Sequence, residues 1–447
     1  MPQHTLPRIA RRAWLRATAA GGLGALAPWA GLSLAGAATP GGPRLVLMIL
    51  RGGMDGLSAV PALGDPAFAD ARGALGRFAS PALPLDGLFA LHPALPGLHA
   101  MYGQGELAVL HATGLPYRER SHFDAQQVLE SGGDKPFALD TGWLGRALAG
   151  SGRKAMAFQP AVPLVLRGHA EVDTWVPSSR PDPGADLVAR LERLYIDDVP
   201  LASALARARE LRDSGAMPAP MLAGGMAGSM AAGQVNGQLN GQVNGQMNGE
   251  MSGQPDGRPT SIGGAAPLAA PRQAALTLAR QAAAFLIRPD GPQAAVLDLG
   301  GWDSHANQVA DPGPLVNNLR LLDASLAALR EGLTVPAAGD TWRRTVVLVV
   351  TEFGRTVAIN GTQGTDHGSG GAALVLGGAV RGGRVLADWP GLAPQQRFEG
   401  RDLRITTDLR AVFKTVLIDH LGLNPAQVAQ AALPGSQHVA RLDLLRT

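Results

Sequence analysis

Thr345-Val346-Val347-Leu348-Val349-Val350-Thr351, running straight into Glu352-Phe353-Gly354-Arg355, is the stretch on which the fold turns. An unbroken apolar, mostly β-branched run of this kind suits a strand buried on both faces, as in a parallel sheet covered by helices. Two other stretches share the design. Arg44-Leu45-Val46-Leu47-Met48-Ile49-Leu50 runs into Arg51-Gly52-Gly53-Met54-Asp55-Gly56, and Ala294-Ala295-Val296-Leu297-Asp298-Leu299 runs into Gly300-Gly301-Trp302-Asp303-Ser304-His305. Thr365-Asp366-His367-Gly368 follows the first run quoted. In open α/β sheets ligands bind beyond the carboxyl ends of the strands. Asp55, Asp303, His305, Glu352, Asp366 and His367 are therefore expected at one edge. Their mix of carboxylate and imidazole suits a divalent metal such as zinc, calcium, magnesium or manganese, of unspecified identity and number.

Between the runs, strand and helix patterns alternate, which predicts an α/β fold: a doubly wound, mostly parallel sheet with helices on both faces. Helices are predicted at 95–102, 121–130, 143–148, 186–211, 271–287, 314–329 and 408–421. Further strands are predicted at 107–111 and 372–378, with an edge strand at 162–166, where Pro163 is ill suited to a central position. Residues 217–267 differ, because they carry a Gly-Gln-apolar-Asn repeat from Gly233 to Asn248. One apolar residue in four cannot bury enough surface to offset chain entropy, so this segment reads as a disordered insertion.

Ala10-Arg11-Arg12-Ala13-Trp14-Leu15-Arg16, a mildly apolar stretch to about Ala35 and a small-residue end at Ala35-Gly36-Ala37-Ala38 read as a twin-arginine signal peptide over 1–38. That reading puts the protein in the periplasm or outside the cell, with the twin-arginine translocase as its export partner. No second long apolar run predicts a membrane span in the remainder. Cysteine is absent, which excludes thiolate ligands, a Cys nucleophile and disulfides. The formal charge of +3 owes four arginines to the signal, and no basic block remains beyond it, so nucleic-acid binding has no electrostatic footing. A single domain over 39–447, interrupted by the insertion, is expected, because the strand-end residues span 55 to 367.

Each candidate has a simpler reading beside the chemical one. Asp55 after Gly52-Gly53 is a ligand or a turn residue accepting backbone amides. Asp303-Ser304-His305 is a ligand pair or a pair that only fixes a loop, and Asp298 is a supporting or structural carboxylate. Glu352 at a strand end needs a cation, either a metal or Arg355. His367 in a Gly-rich loop is readily a ligand, with Asp366 as co-ligand or as a carboxylate orienting a ring. Ser121 opens a helix where free amides favour an anion, and is either a nucleophile beside His122 or an ordinary N-cap. Arg51, Arg118, Arg120 and Arg355 are candidates for holding an anionic ester by bidentate hydrogen bonds. His92, His99 and His111 read as core or surface residues.

Taken together, the twin-arginine start, Leu50–Gly56, Ser121-His122-Phe123-Asp124-Ala125-Gln126, Gly301–His305, Thr351–Thr356 and Gly364–Gly368 resemble the bacterial domain-of-unknown-function family 1501. The resemblance implies an alkaline phosphatase-like fold, since that family is grouped with the alkaline phosphatase and sulfatase superfamily. It also implies roles: Asp55 as the first-strand metal Asp, Ser121 as the nucleophile, Asp303 and His305 as a ligand pair, Glu352 as the later acidic ligand and His367 as the last His. The superfamily's usual Asp-x-x-x-His appears here as Asp303-x-His305. Phe353 stands where a His usually follows the later acid, so one of two metals is expected to be lost or weakly held.

Two functions follow as expectations. One is an exported metal-dependent hydrolase of phosphate or sulfate esters, acting on a small anionic ester. The other is a non-catalytic periplasmic binding or assembly protein with a protein partner, keeping the fold and at most a structural metal.

Overall fold

A computed structural model describes residues 41–177, 183–211 and 269–446. The signal at 1–38 and the insertion at 217–267 lie outside the described residues. The three quoted runs form adjacent parallel strands at the centre of a nine-stranded sheet. They are β1 (Arg44–Leu50), β7 (Ala294–Leu299) and β8 (Thr345–Thr351), and β1 lies between the other two. The remaining strands are β4 (Leu107–Gly114), β5 (Lys154–Ala157), β6 (Glu171–Thr174), β9 (Gly371–Leu376), β10 (Arg384–Leu386) and β11 (Thr407–Asp408). A small separate hairpin pairs β2 (Leu83–Pro84) with β3 (Ala90–Leu91). The order across the large sheet is β10-β4-β9-β8-β1-β7-β5-β6, with β11 also on β4. Only β9 runs antiparallel to its neighbours β4 and β8.

Alternate residues of β1 feed two separate cores, which is why Leu45 to Leu50 are all apolar. Val46, Met48 and Leu50 face one core, with the helices Pro96–Gly103, Ala269–Leu286 and Pro314–Thr334. Leu45, Leu47 and Ile49 face the other, with the helices His122–Ser131, Trp143–Leu148 and Arg410–Thr415. The sheet is thus covered by helices on both faces. No described helix is long and apolar enough to cross a membrane.

Several local expectations are corrected. Leu164–Leu166 is a 3-10 turn rather than an edge strand. It passes so close to the backbone at Gly142 that any Cβ there would collide with Leu164 and Val165. The predicted helix 186–211 is two, Ala185–Leu194 and Val199–Leu211. The helix predicted to run to 421 changes to π geometry over Val416–His420.

This topology decides what meets at the carboxyl edge. The chain leaves β1 toward Asp55, β7 toward Asp303, β8 toward Glu352 and β4 toward His122, all on that side. Because β9 is reversed, its amino end lies there too, so Asp366 and His367, just ahead of Gly371, join the same edge.

Candidate metal centre

Asp303 and His305 from one loop, His367 from another and His122 from a helix N-terminus meet in one cluster. His367 Nε2 lies 2.9 Å from His122 Nε2, 3.1 Å from His305 Nε2 and 3.1 Å from Asp303 Oδ1. Asp303 Oδ1 is also 2.8 Å from His305 Nε2, and its Oδ2 is 3.3 Å from His122 Nε2. Of these, His122, Asp303 and His367 carry ligand atoms that all fall within 4.8 Å of one another.

The far nitrogen of each ring has an acceptor of its own. His122 Nδ1 is 2.8 Å from Glu352 Oε1, His305 Nδ1 is 3.2 Å from Asp366 Oδ1, and His367 Nδ1 is 3.0 Å from the Arg120 carbonyl. A proton on Nδ1 leaves the Nε2 lone pair for a ligand, and this wiring is how metal-binding histidines are oriented. One imidazole nitrogen carries a single proton, so His367 Nε2 cannot donate to all three of its neighbours. A shared cation satisfies them together. Three imidazole nitrogens and a carboxylate are also a donor set that zinc and related divalent ions accept. The residues present fit such an ion.

Electrostatics point the same way. Burial opposes a charge on His122, but hydrogen bonds to Asp303 and Glu352 outweigh it and push the imidazole up to about 9. Burial would raise Asp303, yet hydrogen bonds from His122 and His367 and the charge of Arg355 hold it far below the usual carboxylate range. Glu352 is lowered too, its burial being overcome by His122. The site is negative enough to hold a proton on His122, and a divalent ion competes with that proton for the same lone pair.

The other sequence candidates take different places. Glu352 is buried, and its Oε1 already accepts from Gly52 N at 2.9 Å, Gln126 Nε2 at 3.2 Å and His122. Its observed contact with the cluster is through the His122 ring. Arg355 pairs with Asp303 at 3.0 Å rather than serving as the counter-ion of Glu352. Asp366 orients His305, not the adjacent His367. Asp55 is not among the groups brought together. It caps the short helix Gly56–Ala59 through Ser58 N at 3.2 Å, and its Oδ2 is held by Ser58 Oγ at 2.7 Å and Arg72 Nη2 at 2.5 Å. Asp298 accepts from Arg51 at 3.0 Å. Ser121 occupies the N-cap position of the helix His122–Ser131, but its side chain does not cap it.

The four arginines proposed for an anion are all engaged inside the protein. Arg51 meets Glu130 at 2.6 Å and Asp298 at 3.0 Å, and Arg120 meets Glu399 at 2.6 Å and Asp402 at 2.8 Å. Arg118 donates to the carbonyls of Leu115 and Tyr117, and Arg355 is buried against Asp303.

Residues 96–431, three quarters of the chain, match the family described as "Protein of unknown function (DUF1501)". The chain belongs to this family. A phosphonate monoester hydrolase of Agrobacterium radiobacter shares 11% identity with it over 86% of this chain and 74% of that one, with a TM-score of 0.38. The PsFucS1 sulfatase from Pseudoalteromonas sp. shares 12% identity over 90% of this chain and 71% of that one, with a TM-score of 0.39. No curated protein matches the chain by sequence.

Sequence reading missed the support behind His367 in this DUF1501 protein. Arg120 has φ of 62°, an uncommon left-handed conformation for a side chain of this size, and its carbonyl accepts from His367 Nδ1. Fully buried Asp402 anchors Arg120, and accepts from Ser369 Oγ at 2.9 Å and Arg401 Nη1 at 3.2 Å. Arg401 in turn donates to the His367 carbonyl at 2.8 Å. The run Glu399-Gly400-Arg401-Asp402-Leu403-Arg404 has the composition of any surface Arg/Asp cluster, and Asp402 between Arg401 and Arg404 was its one local signal.

Proposed function

We propose that the chain is an exported, metal-dependent hydrolase of phosphate or sulfate esters. In this reading a twin-arginine signal over 1–38 delivers one alkaline phosphatase-like domain, 39–447, to the periplasm or beyond. What carries it is the convergence of three imidazole Nε2 atoms on one carboxylate, with each opposite nitrogen already bonded. His122, Asp303, His305 and His367 would hold the ion, while Glu352 and Asp366 fix two of the rings. A divalent ion there would polarise an ester oxygen and lower the pKa of a water or hydroxyl beside it. Side-chain exposure of 39% for Asp303 and 44% for His305 leaves the cluster open to solvent, as catalytic rather than purely structural metal sites are. Ser121, one residue before His122 at a helix N-terminus, offers a hydroxyl where free amides favour an anion.

The test is elemental analysis of protein exported by a host with an intact twin-arginine pathway, followed by a panel of phosphate and sulfate esters. About one metal per chain with turnover on any ester supports the proposal. Bound metal without turnover across the panel sinks the hydrolase reading. A second reading, a non-catalytic binding or assembly protein, is favoured by one observation: Arg51, Arg118, Arg120 and Arg355 each already have a partner inside the protein. In that case replacing Asp303 and His305 lowers thermal stability and abolishes no activity.

A further inference from the structure

A cavity of about 170 Å³ lies apart from the metal centre, lined among others by Ser58, Arg77, His92, Gln308, Asp311 and Arg320. Its lining includes none of His122, Asp303, His305 or His367. The volume is far above the roughly 10–15 Å³ that one water requires.

Asp311 apart, the side chains of Arg77, His92, Gln308 and Arg320 offer mainly donors to it. His92 is more than nine-tenths buried, and its Nδ1 accepts from Ala94 N at 3.0 Å. Burial holds the ring neutral by lowering its pKa to about 4. The single ring proton therefore sits on Nε2, and no acceptor among the described residues meets it. The ring is braced by Phe78, edge-on at 5.2 Å between centroids. Gln308, also buried, spends its Oε1 on Thr365 Oγ1 at 3.0 Å, and its amide NH₂ has no acceptor among the described residues. Ser58 Oγ is committed to Asp55 and Arg72. Asp311, the acid of the lining, is paired with Arg320 at 2.8 Å. Arg77 is exposed and has no side-chain partner among the described residues. Two guanidinium groups against one carboxylate leave the wall with a net positive charge. These donors open onto the cavity without a protein acceptor, so water or a ligand must fill their valence. A group with several acceptor oxygens and negative charge does so, and a guanidinium is its usual partner.

We propose that this cavity binds a small oxyanion, a phosphate or carboxylate group, at a site separate from the metal centre. The test uses the full chain stripped of metal by a chelator, titrated calorimetrically with inorganic phosphate and, separately, with acetate. Saturable binding of at least one probe is expected, unchanged in Asp303→Ala and weakened roughly tenfold, about 1.4 kcal/mol, in Arg77→Ala. Arg77 is exposed, so that variant should fold; His92→Phe, which keeps an aromatic ring and removes the N–H, should weaken binding as well. Which probe binds distinguishes phosphate from carboxylate. The proposal is overturned if neither probe saturates, if binding survives both cavity variants, or if it disappears in Asp303→Ala.

Discussion

Five histidines of this chain fall into two sets that are wired in opposite directions. In the body of the sheet, His111 of β4 is bonded through Nε2 to the Val60 carbonyl at 3.0 Å, and its Nδ1 accepts from Ala112 N at 2.8 Å. His420 is likewise bonded through Nε2, to the Arg44 carbonyl at the start of β1, at 2.8 Å. Burial drives both of these rings toward neutrality, with pKa lowered to about 4. At the carboxyl edge, His122, His305 and His367 are bonded through Nδ1 and turn Nε2 toward one another and Asp303. In His111 backbone groups use both nitrogens and nothing is left over for a ligand. In the second set the bond to the remote nitrogen frees the near one. What sits behind the ring, rather than the presence of the ring, separates a core histidine from a metal ligand.

Removing the carboxylate on which the second set converges should have the largest effect. Asp303→Ala is expected to abolish stoichiometric metal binding measured by elemental analysis. The equivalent change in the first set, His111→Gln, should leave metal content unchanged. If Asp303→Ala retained its metal, the convergence would be a hydrogen-bonded network and no more. A smaller effect is expected when only the remote bond is weakened. Glu352→Gln keeps the size of the side chain and loses the charge facing His122, and should lower metal affinity about 10- to 100-fold in a chelator competition. Affinity equal to the wild type would mean that the wiring behind the ring does not matter, and the contrast between the two sets would lose its cause.

Much of this edge was legible in the sequence, for a physical reason. Strands buried on both faces must be continuously apolar, so β1, β7 and β8 stand out and their last residues point to the edge. β5 and β6 were missed because Lys154–Ala157 and Glu171–Thr174 are only four residues each, and Glu171–Thr174 is polar as well. Asp303, His305 and His367 were named as ligands from loop chemistry, and the structure brings them together. His122 was read as a partner of Ser121, since nothing local shows that β4 delivers it to the same edge. Asp55 was over-read: its partner Arg72 is seventeen residues on, and that pairing carries no local signature. The same blindness hid Asp402, which reaches His367 only through Arg120 and Arg401. Asp402→Asn should therefore reduce metal affinity by about tenfold, at the low end for outer-shell changes. Unchanged affinity with a lowered melting temperature would make Asp402 structural only.

The smallest expected effect is also the sharpest comparison, because the two sets should respond to acid with opposite signs. The metal-free protein is the right material, since a bound ion would displace the proton from His122. His111 has a folded pKa of about 4, lowered by burial, against about 6.5 unfolded. Between those values the unfolded chain binds the proton and the folded chain does not, so His111 destabilises the protein as pH falls. His122 is the reverse. Burial opposes its charge, but hydrogen bonds to Asp303 and Glu352 raise its folded pKa to about 9. Its contribution is fully present below the unfolded value of about 6.5 and is lost as pH rises through about 9. Going from about pH 7.5 to about pH 5.5, each group should change stability by about 1 kcal/mol, His111 downward and His122 upward. Urea unfolding at both pH values separates them. Relative to the wild type, His111→Gln should gain stability on acidification and His122→Gln should lose it. If both variants moved the same way, the core and edge histidines would share one electrostatic environment, and the division drawn from their hydrogen bonds would fail.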